Sequence, residues 1–253
     1  MLALRHTLVL APVPGPWLVD TLAVLLDVAE GTRAEAGRLL LPDGREVPDA
    51  RLAEGRHLRP GAVYEGTQEE TADTVRITVE EWNRRRTLRL AAAVEAPDGA
   101  FTVRGALHRP DRPRRFEAEG SARTADAWPA LSRVRGRVRL LCGDWWAAGA
   151  GRTVRTAPLR ASVECGAARA ELLAVPRPHG TDGAWAVTVT VRVRGRRLFR
   201  PVAAVALRLG RRRLRRFLAD ALDGFAERWN TEVPALVAMG PDDVRREVLA
   251  AGR

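Results

Sequence analysis

The chain has 253 residues and a formal net charge of +11, from 42 basic against 31 acidic residues. Every basic residue is Arg; the absence of Lys removes a Walker-type phosphate loop, a pyridoxal-phosphate Schiff base and a kinase lysine. With 46% hydrophobic residues a real core is available, and the bias toward Ala, Val, Leu, Gly, Pro and Arg makes the high pI weak evidence for nucleic acid.

Residues 1–66 read as a small α/β unit. Leu4 to Leu10 is a short apolar strand closed by APVPGP. Asp20 is placed to cap a helix to about Ala29, with Leu18, Leu22, Leu25 and Ala29 on one stripe and Gly31 at its end. Arg38 to Leu41 is a strand into the Pro42-Asp43-Gly44 turn, Val47 lies on the return, and Ala62 to Tyr64 closes the unit.

A polar stretch, QEETAD at 68–73, marks a boundary, and 67–233 reads as an antiparallel sheet plus C-terminal helix whose strand region alternates with period two. Val75, Ile77 and Val79 begin the train, and Asn83-Arg84-Arg85, Pro97-Asp98-Gly99 and Pro110 to Pro113 supply its turns. The pattern continues through Val134 to Leu140, with weaker strands over Val154 to Val163 and Ala170 to Val175. Trp185 to Val193 is the last strand. About eight strands with short turns predict an antiparallel meander, apolar on one face and wet on the other. In several strands Arg holds the outward register, so much of the charge is a solvated face.

The clearest helix runs from Arg211 to Trp229. Leu214, Phe217, Leu218, Ala221, Leu222, Phe225 and Trp229 form its apolar stripe, which predicts burial against the sheet. Gly224, inside that stripe, suggests a close approach there. Residues 234–253 read as a helical tail, with a short helix over Asp242 to Leu249 behind Pro241. The expected fold class is therefore α+β: a meander curved around a long C-terminal helix, with the N-terminal unit in front.

Two resemblances attach to these stretches. The run GRLLLPDGREVPDARLAEGRHLRPGAVYEG resembles the C-terminal half of ubiquitin-like β-grasp domains in actinobacterial secretion proteins, which implies a protein-docking unit at the N-terminus. The last strand, the Leu198-Phe199-Arg200-Pro201 link and the helix face from Leu214 to Trp229 resemble the START-like, helix-grip superfamily of polyketide cyclases and lipid-transfer proteins. That resemblance implies a hydrophobic cavity between sheet and helix. It covers a small part of the chain, and a lipocalin-like barrel or an elongated β-sheet lipid carrier would show similar alternation.

The function expected is binding, with transport or cyclisation as variants, of an apolar small molecule in that cavity. Trp82, Phe101, Trp145, Trp146, Trp185, Leu218 and Phe225 are the candidate ligand-binding residues, with Trp145-Trp146 read as a loop at the cavity mouth. Catalytic residues are not identifiable, and the sequence does not decide whether the protein is an enzyme. A non-enzymatic scaffold docking a protein through the N-terminal unit is one alternative. Anion or membrane-surface binding through Arg211, Arg212, Arg213, Arg215 and Arg216 is another, since five Arg at a helix start oppose the helix dipole. Basic strands without interleaved aromatics argue against specific nucleic-acid binding.

No cofactor and no metal are expected. Cys142 and Cys165 have no second pair, the His residues are scattered, and GDWWAAGAG lacks dinucleotide-loop spacing. Two free thiols are expected, with a single bridge left open. The apolar run Leu8 to Pro16 is broken by prolines, so an integral membrane segment is not expected and a cytoplasmic location is.

Overall fold

Thirteen strands and four helices arise from these patterns in a computed structural model of the chain, which describes residues 2–67, 74–96, 99–124, 132–181, 183–196 and 210–250. The class is α+β with extensive antiparallel pairing and C-terminal helices, an arrangement compatible with a helix-grip fold. The strand number exceeds the expected eight. Strands β6 to β13 come from the anticipated meander, and β1 to β5 from residues 2–67. Chain contacts group the elements into two compact units interleaved in sequence. The first is Met1–Val13 with Asp126–Val237, and the second is Pro14–Ala125 with Ala238–Arg253.

The first unit contains β1 (Leu2–Leu10), β10 (Arg133–Leu141), β11 (Leu159–Glu164), β12 (Ala168–His179) and β13 (Ala184–Gly195), in the order β1-β13-β12-β11-β10. It also contains helix α2 (Cys142–Gly149) and helix α3 (Arg211–Ala238). β1 pairs with β13 along its whole length, Leu2 opposite Val193 and Leu10 opposite Trp185. Residues 2–67 therefore do not close a sheet of their own as a β-grasp would. The expected strand over Val154 to Val163 starts only at Leu159, and β12 extends well past Val175 to His179.

Helix α3 differs from expectation in two ways. It passes through Pro234 and ends at Ala238 rather than giving way to a separate tail. A Cβ on Gly224 would meet nothing within 4 Å, so no close approach occurs there; Ala226 is the buried small residue. The helix is anchored along β1, an outermost strand, by polar contacts. Asn230 donates from Nδ2 to the Val9 carbonyl at 2.9 Å and accepts the Ala11 N–H on Oδ1 at 2.7 Å. This amide satisfies the backbone there as a neighbouring strand would, blunting an exposed edge. Asn230→Ala should therefore cost about 1 kcal/mol, a typical net value for lost hydrogen bonds. The expected result in urea melts is a lower midpoint together with faster amide exchange at Ala11, and unchanged exchange would disprove the anchoring role.

The second unit contains β2 (Arg33–Glu35), β3 (Arg38–Leu40), β4 (Glu46–Glu54), β5 (Val63–Thr67), β6 (Thr74–Asn83), β7 (Thr87–Ala96), β8 (Gly99–His108) and β9 (Arg115–Thr124), adjacent in sequence order. Its helices are α1 (Gly15–Gly31) and α4 (Pro241–Ala250). α1 begins earlier than expected and Asp20 does not cap it. Pro14 stands at the N-cap with a proline in the first turn, where a missing N–H costs nothing. A chain of hydrogen bonds ties α1 to β5. Leu58 donates its N–H to the Tyr64 oxygen at 2.8 Å, Tyr64 meets His57 Nδ1 at 2.9 Å, and His57 Nε2 donates to the Ala29 carbonyl at 3.0 Å. Burial pushes the Tyr64 phenol up, so it stays a neutral donor. α4 lies against α1, where the Trp17 indole donates to the Met239 carbonyl at 3.0 Å.

Arginines do line the outward faces. Arg76 reaches Glu54 at 2.8 Å and Glu65 at 3.3 Å, and Arg104 reaches Glu80 at 2.6 Å across the strands. Such exposed pairs contribute little stability, so their main effect is a soluble face. Cys142 and Cys165 are not joined in a disulfide.

Candidate functional site

Strand register in the first unit sorts side chains into rows on one face. The row nearest the start of β1 runs Leu2, Val193, Ala170, Val163, Gly136, and the next runs Leu4, Val191, Leu172, Ala161, Val138. The row at the far end runs Leu10, Trp185, Pro178. On this face His6 is the one polar side chain among the five strands, and it is held by Asp223 of α3 at 2.7 Å. A core of Leu8, Leu10, Ala174, Trp185, Val187, Val189 and Ala226 covers the far end. Toward β10 and β11 the cover stops: Val163 is 48% exposed and Val138 37%.

Helix α3 is fixed along β1 at the edge of this face. Asp223 at His6 and Asn230 at Val9 and Ala11 show that the helix runs along β1 in the same direction. At about 100° per residue, Asp223 and Asn230 turn to one side of Ala226 and Leu222 and Trp229 to the other. Asp223 and Asn230 meet β1, whereas Leu222 and Trp229 pack on the core, so the second side faces inward over the sheet. Leu214, Leu218 and Phe225 continue that inward side, roughly 80–120° from Ala226. Phe225 is 42% exposed although its ring lies 5.7 Å from Trp229. Uncovered apolar side chains thus stand both on the β10 and β11 part of the face and on α3. Phe217 is different: it lies opposite Ala226 and is 71% exposed.

The tryptophans close the far end. Trp145 and Trp146 lie on α2, not in a loop, because residues 142–149 are helical despite their flanking glycines. Trp145 meets Trp185 edge-to-face with centroids 5.9 Å apart, and the Trp146 indole donates to the Val13 carbonyl at 2.8 Å. The Trp229 indole donates to the Ala11 carbonyl at 2.9 Å. Of the expected ligand-binding residues, the structure brings Trp145, Trp146, Trp185, Leu218 and Phe225 into the first unit. Trp82 and Phe101 belong to the second. There Trp82 donates to Glu30 at 2.9 Å, and Phe101 stands exposed on the apolar face of β8 over Gly120.

No family model matches the chain, and no curated protein or solved structure matches it significantly. The site must therefore be argued from its own chemistry.

The basic turn lies at the start of α3. Counting back along α3 and β1 at their ordinary rises, Arg211 to Arg216 come level with the first residues of β1. Arg212, Arg215, Arg216 and Ala219 share one helix face and line an open depression of about 400 Å³. Among the described residues, none of the five arginines has a carboxylate partner within salt-bridge distance, whereas Arg76 and Arg104 each have two. Sequence reasoning singled out this run but missed Asn230 and the His6–Asp223 pair, whose partners are more than two hundred residues away. Among the described residues no cluster of three or more His, Cys, Asp or Glu could hold a metal ion. No described helix is long and apolar enough to cross a membrane.

Proposed function

We propose that the first unit binds an apolar or amphiphilic small molecule in a trough between α3 and the β10–β12 face. The observation that carries this reading is the uncovered apolar surface there. Val163 and Val138 remain exposed on the same apolar face as the core cluster, and Phe225 stands exposed on α3. Full burial of such a side chain is worth about 1.5–3 kcal/mol, and a ligand tail would recover the part that their remaining exposure forgoes. The trough agrees with the cavity that the START-like resemblance implies. A carrier role fits better than catalysis, since the one polar group on this face of the five strands, His6 on β1, is engaged in anchoring α3.

The test is displacement of a fluorescent long-chain fatty probe from the purified full chain. Binding with micromolar affinity is expected, weakened at least tenfold by Val163→Asp, which puts a charge on the floor. Failure of any long-chain probe to bind, with a stable protein partner recovered instead, would replace this reading by a scaffold role.

A further inference from the structure

We propose that the outward face of the first unit's sheet docks the phosphate backbone of duplex nucleic acid without reading its sequence. This face lies across the sheet from the proposed ligand surface, and it serves whether or not that ligand binds. Strand register builds it in rows. One row runs Arg135, Glu164, Arg169, Arg194, and the next runs Arg137, Ser162, Glu171, Arg192. The third runs Arg139, Arg160, Leu173, Thr190, Arg5. Arginine therefore dominates all three rows, and both carboxylates in them are already engaged. Glu171 lies 2.9 Å from Arg169 and 3.8 Å from Arg194, and Glu164 lies 3.7 Å from Arg196. Among the described residues, Arg5, Arg135, Arg139, Arg160 and Arg192 have no carboxylate within salt-bridge distance.

A soluble strand face does not require this arrangement. In the second unit the outward positions set Arg against Glu: Arg76 opposite Glu65, Arg89 opposite Glu81 and Arg104 opposite Glu119. Those pairs close to 3.3, 3.7 and 3.5 Å. In the first unit Arg139 stands directly opposite Arg160, and Arg169 opposite Arg194. Like charges in opposed positions destabilise a sheet, and an anionic partner removes that cost. Guanidinium forks pair bidentately with phosphate oxygens, and Ser162 and Thr190 add hydroxyls within the rows. Strands about 4.8 Å apart and alternate residues about 6.8 Å apart give the rows a footprint of roughly 19 by 14 Å. A duplex carries roughly eleven phosphate charges along 19 Å of its axis. So broad a face cannot enter a major groove about 12 Å wide, so the bases go unread. Other polyanions fit less well, because these rows contain no aromatic side chain. Nothing in them stacks the bases of a single strand, anchors at a membrane interface or centres a protein interface.

The experiment measures binding of the full chain to a fluorescein-labelled duplex of about 30 base pairs by anisotropy as salt is varied. Micromolar affinity is expected at about 50 mM salt, matched within about threefold by a duplex of unrelated sequence. The logarithm of affinity should fall against that of salt with a slope of about −4, as for four to five contacted phosphates. Arg139→Gln, Arg160→Gln and Arg192→Gln together should weaken binding at least about tenfold and reduce the slope by roughly 2–3. The charge-matched set Arg212→Gln, Arg215→Gln and Arg216→Gln on α3 should keep affinity within about threefold. Arg160→Glu separates docking from folding: it sets opposite charges across β10 and β11, so the urea midpoint should hold or rise while duplex binding falls. Equal losses in the two triple variants would mean that net charge alone drives binding and would overturn the face. Binding to phosphatidylserine-containing vesicles without binding to the duplex would overturn the nucleic-acid partner in favour of a membrane surface. Absence of duplex binding at low salt would overturn the proposal outright.

Discussion

Replacing Trp185 by Ala should destabilise the first unit by about 3–5 kcal/mol, the range for removing a large aromatic side chain from a packed core. Trp185 is buried in β13 between Leu10 on β1 and Pro178 on β12. It is also the element that seats α2. Its ring lies edge-to-face with Trp145, and a Cβ on Gly149 would come within 2.7 Å of its indole nitrogen. The glycine at the end of α2 therefore lets the helix rest directly on the indole. Truncating the side chain removes the aromatic pair, the cross-strand contacts and the support for α2 together. Because domains are marginally stable, a loss of this size should move the urea midpoint by more than about 1 M. Trp185→Phe keeps an aromatic contact and should fall well short of the full loss. A midpoint shift near zero for Trp185→Ala would show that this end of the sheet is not the core described.

Much of this was readable in the sequence where the signal is local. Strict alternation placed β6 to β9, and the Asn83 turn forms as the residue types imply, with Oδ1 accepting the Arg85 N–H at 3.0 Å and the Arg86 N–H at 3.1 Å. The inward positions of β13 and the apolar stripe of α3 were equally plain. What escaped was non-local or compensated. Pairing of β1 with β13 joins opposite ends of the chain, and no adjacent residue announces it. Pro234 does not stop α3 because it is exposed, where water can satisfy the carbonyl it frees. Cys142 to Gly149 looked like a glycine-bounded loop, yet its two tryptophans find a sheet face to pack on and hold the helix. The candidate site divides in the same way. Leu218 and Phe225 were identifiable from helix period, whereas Trp82 and Phe101 are as apolar in sequence but belong to another unit. The stripe on α3 also proved wider than its contact. Only part of it meets the core, and that surplus is what the proposed binding surface rests on.

Gly55→Ala should destabilise the second unit by about 2–4 kcal/mol, and Gly61→Ala in the same loop by only about 1–2 kcal/mol. Both glycines adopt left-handed backbone, with φ +82 at Gly55 and +87 at Gly61, so both substitutions carry the conformational cost. The difference is space. A Cβ on Gly61 would meet nothing within 4 Å, whereas on Gly55 it would lie 2.9 Å from the Ala62 Cα and from the Gly61 carbonyl oxygen. Those are backbone atoms and cannot swing aside. They also belong to the best-buried point of the unit: the Ala62 carbonyl accepts the Val79 N–H, the Gly61 N–H donates to the Val79 carbonyl, both at 2.8 Å, and neither Ala62 nor Val79 is exposed beyond 1%. Pushing Ala62 outward would strain both bonds. Amide exchange at Val79 should accordingly accelerate far more in Gly55→Ala than in Gly61→Ala. Equal effects would mean that backbone conformation alone sets the cost and that the loop can shift freely over β6.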